Sequence, residues 1–95
     1  MAAPDFYVLA YDIADDRRRA RIAKLMESSA ERVQGSVFEA YLSPADLEAL
    51  LRRVRKVLKK DQDGLRIYPI CAACRGKVRT LGLGKVTPPP GVTII

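Results

Sequence analysis

An α+β fold, with two helices laid on one face of a small antiparallel sheet, is what this chain predicts. Three observations predict it. The extended and helical patterns alternate as β-α-β-β-α-β, the first extended run is apolar on both of its faces, and 95 residues support one modest hydrophobic core and no second domain. Hydrophobic residues at 48% and charged residues at 29% are the proportions of a globular chain rather than a disordered one.

Phe6 to Ile13 opens the pattern as a strand, with Phe6, Val8 and Ala10 on one face and Tyr7, Leu9, Tyr11 and Ile13 on the other. A strand apolar on both sides should be covered on both. Asp12 closes the run on the Phe6, Val8 and Ala10 face by parity. Asp15 or Asp16 then supplies an N-cap, and the helix that follows puts Ile22, Leu25, Met26 and Ser29 on one stripe, with Arg17, Arg18, Arg19, Arg21 and Lys24 around the remainder.

Glu31 to Gln34 and Ser36 to Leu42 read as two extended segments meeting at Gly35, a hairpin in preference to one bulged strand. Ser43-Pro44-Ala45-Asp46 is a helix start: a hydroxyl to cap, a proline at the first position and an acid at the third. Leu47, Leu50, Leu51, Val54, Val57 and Leu58 then give about three turns of apolar face. After the Asp61 to Gly64 turn, Leu65 to Ile70 is a strand whose Pro69 argues for a sheet edge. Lys77 to Gly82 is a weaker fifth strand, and Val92 to Ile95 a C-terminal strand beyond the Pro88-Pro89-Pro90 spacer.

This order is the split βαβ, or ferredoxin-like, arrangement with an additional C-terminal strand. It divides the chain into a domain over residues 1–84 and a Pro-rich spacer and strand over 85–95. Two helices cover one side of a sheet, so the other face is expected to pack on a second copy as a two-fold homodimer.

Charge directs attention to polyanions. Lys+Arg 17 against Asp+Glu 11 leaves +6, which favours nucleic acid through counterion release, while the plain alternative is solubility. No apolar run reaches bilayer length and no secretory leader pattern opens the chain, so the expectation is a cytoplasmic protein with no membrane partner.

With no histidine, imidazole bases and Ser-His or Cys-His nucleophiles are excluded, leaving carboxylates and metals. Asp12, at the end of an apolar strand, calls for a cation, a hydrogen bond or an ion pair. Mg²⁺, or Mn²⁺, held by one or two carboxylates plus waters and phosphate oxygens, meets that demand. The plainer reading is that Asp12 caps a loop or pairs with Arg17 or Arg19. Arg17, Arg18, Arg19 and Arg21 clamp phosphates or form a solvated helix face, and Ser36 beside the Gly35 hinge positions a phosphate or closes a turn. Phe38 reads as core rather than a base-stacking platform. Cys71 and Cys74 are half a zinc site at most, and lack the setting of a redox motif, so small buried cysteines are the preferred reading.

Taken together, Tyr11-Asp12-Ile13, Asp15-Asp16-Arg17-Arg18-Arg19, Arg32-Val33-Gln34-Gly35-Ser36-Val37-Phe38-Glu39 and Leu65-Arg66-Ile67-Tyr68 resemble the CRISPR-associated Cas-two family. The resemblance runs from about Phe6 to Leu83. It implies a dimer that bridges Cas-one integrase dimers during acquisition of spacer DNA, and, in some members, metal-dependent cutting of single-stranded RNA or duplex DNA. By resemblance Asp12 is the metal-binding and catalytic aspartate, Arg17, Arg18, Arg19 and Ser36 contact nucleic acid, and the C-terminal strand extends the partner subunit's sheet. Two departures stand out. Ala30-Glu31 occupies the place where many relatives carry glycine, and the C-x-x-C is no family-wide feature.

Three functions follow as expectations: a Mg²⁺-dependent endonuclease at paired Asp12, a non-catalytic DNA-binding adaptor, or an RNA-cleaving toxin of similar fold. One carboxylate per chain and no general base predict weak or vestigial catalysis.

Overall fold

A computed structural model of the chain describes residues 4–88. Its elements run β1 (Asp5–Asp12), α1 (Asp16–Glu27), β2 (Glu31–Gln34), β3 (Val37–Leu42), α2 (Pro44–Arg55), β4 (Gly64–Ile70) and a short α3 (Ala72–Arg75). The strands form one sheet in the order β2-β3-β1-β4, every pair antiparallel. This is the ferredoxin-like arrangement. β1 sits in the interior between β3 and β4, consistent with its continuous apolar character.

The two long helices start where the capping residues dictate. Asp15 Oδ2 accepts the Arg18 N–H at 2.9 Å, and Ser43 Oγ accepts the Asp46 N–H at 3.1 Å with Pro44 entering the first turn. α1 ends on Ser28 in ordinary right-handed geometry, and no non-glycine residue has a positive φ among the described residues. Ala30 therefore needs none of the left-handed freedom that a glycine would offer there. α2 stops at Arg55, yet Val57 and Leu58 still pack against the core as the chain turns toward β4.

Both helices cover the face presenting Tyr7, Leu9 and Tyr11 of β1 and Phe38, Ala40 and Leu42 of β3. Ile22, Ala23 and Met26 of α1 and Leu50 and Val54 of α2 close on it, and Leu65 and Ile67 of β4 pack at its margin. Phe38, Leu9, Ile22, Met26 and Val54 are the largest fully buried side chains, so the core lies where the two helices meet the centre of the sheet. Leu25, placed on the apolar stripe by its spacing, is only half-buried, and Ser29 is exposed. Ala23 takes the inward place instead.

The expected hairpin at Gly35 is present, and a register shift between Arg32 and Gln34 adds a bulge to it. Ser36 carbonyl accepts the Tyr11 N–H at 3.1 Å, tying the hairpin turn to β1. β4 is an edge of the sheet, so Pro69 leaves no central ladder bond unmade.

Two expectations are corrected. Lys77 to Gly82 is not a strand: the chain turns through α3, Lys77 and Val78 N–H bond back to Cys74 and Arg75 carbonyls, and Gly82 adopts φ +78°. A short β-favouring run forms a strand only where its backbone is free to pair, and here the Lys77 and Val78 N–H groups are committed to the turn. Cys71 and Cys74 are exposed rather than buried, because α3 buries no residue at all. The expected C-terminal strand, Val92 to Ile95, lies outside the described residues.

Candidate metal and nucleic-acid site

The sheet face away from the helices carries Phe6, Val8, Ala10 and Asp12 of β1, Val37, Glu39 and Tyr41 of β3, and Arg66 and Tyr68 of β4. Phe6 is covered by the Tyr41 ring, with centroids 4.9 Å apart, and Val8 and Ala10 are half-buried. The segment before the Pro-rich stretch crosses beside them. Glu39 Oε1 accepts from Thr87 N at 3.0 Å and from Thr87 Oγ1 at 2.6 Å, while Tyr41 Oη donates to the Thr87 carbonyl at 3.2 Å. Cover thus thins out toward Asp12, which is exposed.

Exposure changes the argument about this carboxylate. Within one chain Asp12 loses little hydration, so the desolvation cost that seemed to demand a partner does not arise. Neither Arg17 nor Arg19 pairs with it. Asp12 stands opposite Gly64, in an open cleft lined also by Gln62, Arg66 and Tyr68. Arg66 Nη1 donates to Tyr68 Oη at 3.3 Å, and that bond first, with the negative charge of Asp12 as a smaller contribution, raises the guanidinium from its ordinary value. Arg66 and Tyr68 are members of this cleft to which the sequence reading assigned no role at the site, quoting them only within the Leu65 to Tyr68 segment of the resemblance. The available signal was alternation along β4, where Leu65 and Ile67 face the core and Arg66 and Tyr68 must face away.

The arginines of the first helical turn separate into three environments. Arg17 is exposed at the start of α1. Arg18 points across the helix to the loop before β4: Nε donates to Asp63 Oδ2 at 2.7 Å, and Nη2 to Asp63 Oδ1 at 3.2 Å and Gln62 Oε1 at 3.1 Å. The Asp63 carboxylate is shielded from solvent, also accepts the Lys59 N–H at 2.9 Å, and is held below the usual carboxylate range first by Arg18 and then by Lys59. Arg18 thereby fixes the residue next to Gly64, the register partner of Asp12. Its donors face the protein rather than a phosphate.

Arg19 curls back to the Ile13 and Ala14 carbonyls, both at 3.1 Å, and pairs with Asp16. It lines a groove of about 690 Å³ with Lys24, Arg32, Gly35 and Ser36. The fold therefore brings Arg19 and Ser36 together, beside two cations from α1 and β2. Arg32 is partly committed there, to Glu27 at 3.1 Å and over the Phe38 ring at 5.2 Å. A second basic groove joins Arg21 and Lys24 of α1 to Arg53 and Lys56 at the end of α2. Each of those helices presented a solvated basic face in sequence, and only their packing makes one concave surface of the two.

Among the described residues no group of three or more His, Cys, Asp or Glu side chains is arranged for a metal, so Asp12 belongs to no preformed cage. The donor set suits a hard, hydrated ion such as Mg²⁺, which keeps several waters and shares substrate phosphate oxygens, and not an all-protein cage. No helix of the described residues is long and apolar enough to cross a membrane.

Residues 5–78 match the family described as CRISPR associated protein Cas2. The chain belongs to this family. It is 53% identical over 78 residues to the CRISPR-associated endonuclease Cas2 2 of Thermus thermophilus, covering 82% of each chain. With the CRISPR-associated endoribonuclease Cas2 3 of Synechocystis it shares 44% identity over 89 residues, 94% of this chain and 97% of the relative. Among solved structures, a chain of a partial Cas6-RT-Cas1–Cas2 complex superposes with a TM-score of 0.75 at 23% identity, over 96% of this chain and 98% of that one, a likeness of fold. The βαββαβ order agrees with the fold of that solved Cas2-complex chain.

Proposed function

We propose that this family member acts in CRISPR adaptation as a homodimer that binds nucleic acid, bridges the Cas-one integrase, and cuts phosphodiester bonds at paired Asp12 residues with Mg²⁺ or Mn²⁺. The observation that carries the reading is Asp12 itself: an exposed carboxylate at the thinly covered end of the helix-free sheet face, with no side-chain ion pair or hydrogen bond among the described residues. A second copy laid on that face buries Val8 and Ala10 and brings the two Asp12 carboxylates toward one axis. The spacer and tail over 85–95 would then pack on the partner subunit. The names of the Synechocystis and Thermus relatives, an endoribonuclease and an endonuclease, support nuclease activity, and the Cas1–Cas2 assembly supports a Cas-one partner.

Each side chain has a share in that reading. Asp12 supplies the ion's protein ligand. Arg66, braced by Tyr68, places a fixed positive charge beside the reacting phosphate. Arg19 and Ser36, with Lys24, hold the backbone of the strand in the adjoining groove, and Arg17 adds long-range attraction. A bound divalent ion would supply charge neutralisation and a more acidic water. The Arg66 cation close to Asp12 also favours a second reading, the non-catalytic adaptor, because a like charge weakens affinity for a divalent ion.

Cleavage of single-stranded RNA and duplex DNA by the wild type and Asp12→Asn, with millimolar Mg²⁺ and with chelator, separates the two. Loss of cutting in the variant, with circular dichroism and dimer mass unchanged, supports the nuclease. Cutting that survives the substitution removes Asp12 from the chemistry, and absence of cutting in the wild type with intact duplex binding leaves the adaptor.

A further inference from the structure

The C-x-x-C segment takes no part in the function above. Cys71 follows Ile70 at the end of β4, and Cys74 comes one turn later in α3. Both are exposed and unbridged, and Cys71 Sγ accepts the Cys74 N–H at 3.4 Å, so the first sulfur already folds over the backbone of the second cysteine. Residues three apart on a helical turn hold their Cβ atoms roughly 5–6 Å apart, and a disulfide needs about 3.5–4.5 Å. A side-chain rotation and a slight tightening of the turn close that gap. Little resists it, since α3 buries no residue.

We propose that Cys71 and Cys74 form a reversible dithiol–disulfide site, oxidised by a small disulfide of the glutathione class. In the first step the Cys71 thiolate attacks one sulfur of the small disulfide, whose S–S bond breaks as the mixed disulfide forms. The departing thiolate takes up the proton that Cys71 gave to solvent. Cys74 then loses its proton, its thiolate attacks the Cys71 sulfur, and the second small thiol leaves protonated. Two protein thiols are oxidised and one small disulfide is reduced to two thiols.

The order of attack follows from the surroundings. The Cys74 N–H, and next the Cys74 thiol, hydrogen-bond to the Cys71 sulfur and lower its pKa, while the same contact and the Cys71 negative charge raise that of Cys74. Cys71 is the nucleophile and Cys74 the resolving thiol. Zinc is the weaker occupant, because it takes four ligands, and no third His, Cys, Asp or Glu joins these two among the described residues.

The test equilibrates the purified full chain with reduced and oxidised glutathione at graded ratios, traps free thiols by alkylation, and reads intact mass. The wild type is expected to pass from two free thiols to none in one step, losing two hydrogens, retaining no glutathione and recovering with dithiothreitol. Cys74→Ser is expected to accumulate glutathione on Cys71, and Cys71→Ser to react more slowly at Cys74, whose sulfur lacks the backbone N–H that Cys71 accepts. A wild type that ends as a stable glutathione adduct or an interchain disulfide overturns the proposal. So do equal rates in the two single variants, or zinc bound to the purified chain that a Cys71→Ser, Cys74→Ser double variant lacks.

Discussion

Phe38 separates a structural from a nucleic-acid-binding reading of this sheet, and Phe38→Ala tests it. The side chain is fully buried, stacks on Tyr11 with ring centroids 6.1 Å apart, and lies under the Arg32 guanidinium at 5.2 Å. Withdrawing about 150–250 Å² of aromatic surface from water, at about 25 cal/mol per Å², stabilises by at most ~4–6 kcal/mol. Truncations of buried phenylalanine cost about 3–5 kcal/mol once the residual cavity is included. The expected loss is therefore about 4 kcal/mol, a large share of the roughly 5–14 kcal/mol available to a domain of 95 residues. Phe38→Leu keeps most of the volume and gives up the ring-specific contacts, for about 1–2 kcal/mol. Urea unfolding followed by circular dichroism measures both, as a lower midpoint at unchanged slope. A loss below about 1 kcal/mol for Phe38→Ala, or impaired RNA binding by a Phe38→Leu variant of undiminished stability, would show the ring to be a stacking platform and refute the core assignment.

Further outcomes follow from the caps and charges. Ser43→Ala removes the acceptor for the Asp46 N–H and is expected to cost about 1 kcal/mol by the same unfolding assay. Asp63 has a folded pKa below its unfolded value, so the unfolded chain binds more protons between the two. Its contribution is complete above the unfolded carboxylate range and disappears as pH falls through the folded value. Asp63→Asn should accordingly flatten the acid limb of a stability-against-pH curve, and an unchanged limb would exclude the pair as its source. Arg17→Glu and Arg18→Glu should diverge: the first weakens binding to duplex DNA and its salt dependence at constant stability, while the second chiefly lowers the unfolding midpoint. Equal effects on binding with equal stability would show that Arg18 faces the phosphates after all.

The sequence by itself determined the elements and their order, because the signals involved are local. A continuous apolar, β-favouring run marked β1, Ser43-Pro44 opened α2, and Pro69 placed β4 at an edge, each through signals that a few residues carry. The Tyr11-Asp12-Ile13 strand end and the Arg32 to Glu39 segment also carried the Cas2 resemblance. Strand formation beyond β4 was not local: Lys77 to Gly82 has the composition of a strand, but the turn that follows α3 takes up its first N–H groups. Cysteine burial failed for a similar reason, since hydrophobicity gives no information about a turn that buries no residue.

What only the tertiary structure decided is which side chains meet. Arg17, Arg18 and Arg19 are indistinguishable as a charge run, yet the helix turns each by about 100° from the last. One therefore faces solvent, one reaches the shielded Asp63 and one curls beneath the β1–α1 junction toward Ser36. Arg66 and Tyr68 join Asp12 through strand register across more than fifty positions of chain, a relation with no sequence-local trace. Periodicity tells which way a side chain points, and the pairing of distant strands and helices tells what stands there to receive it.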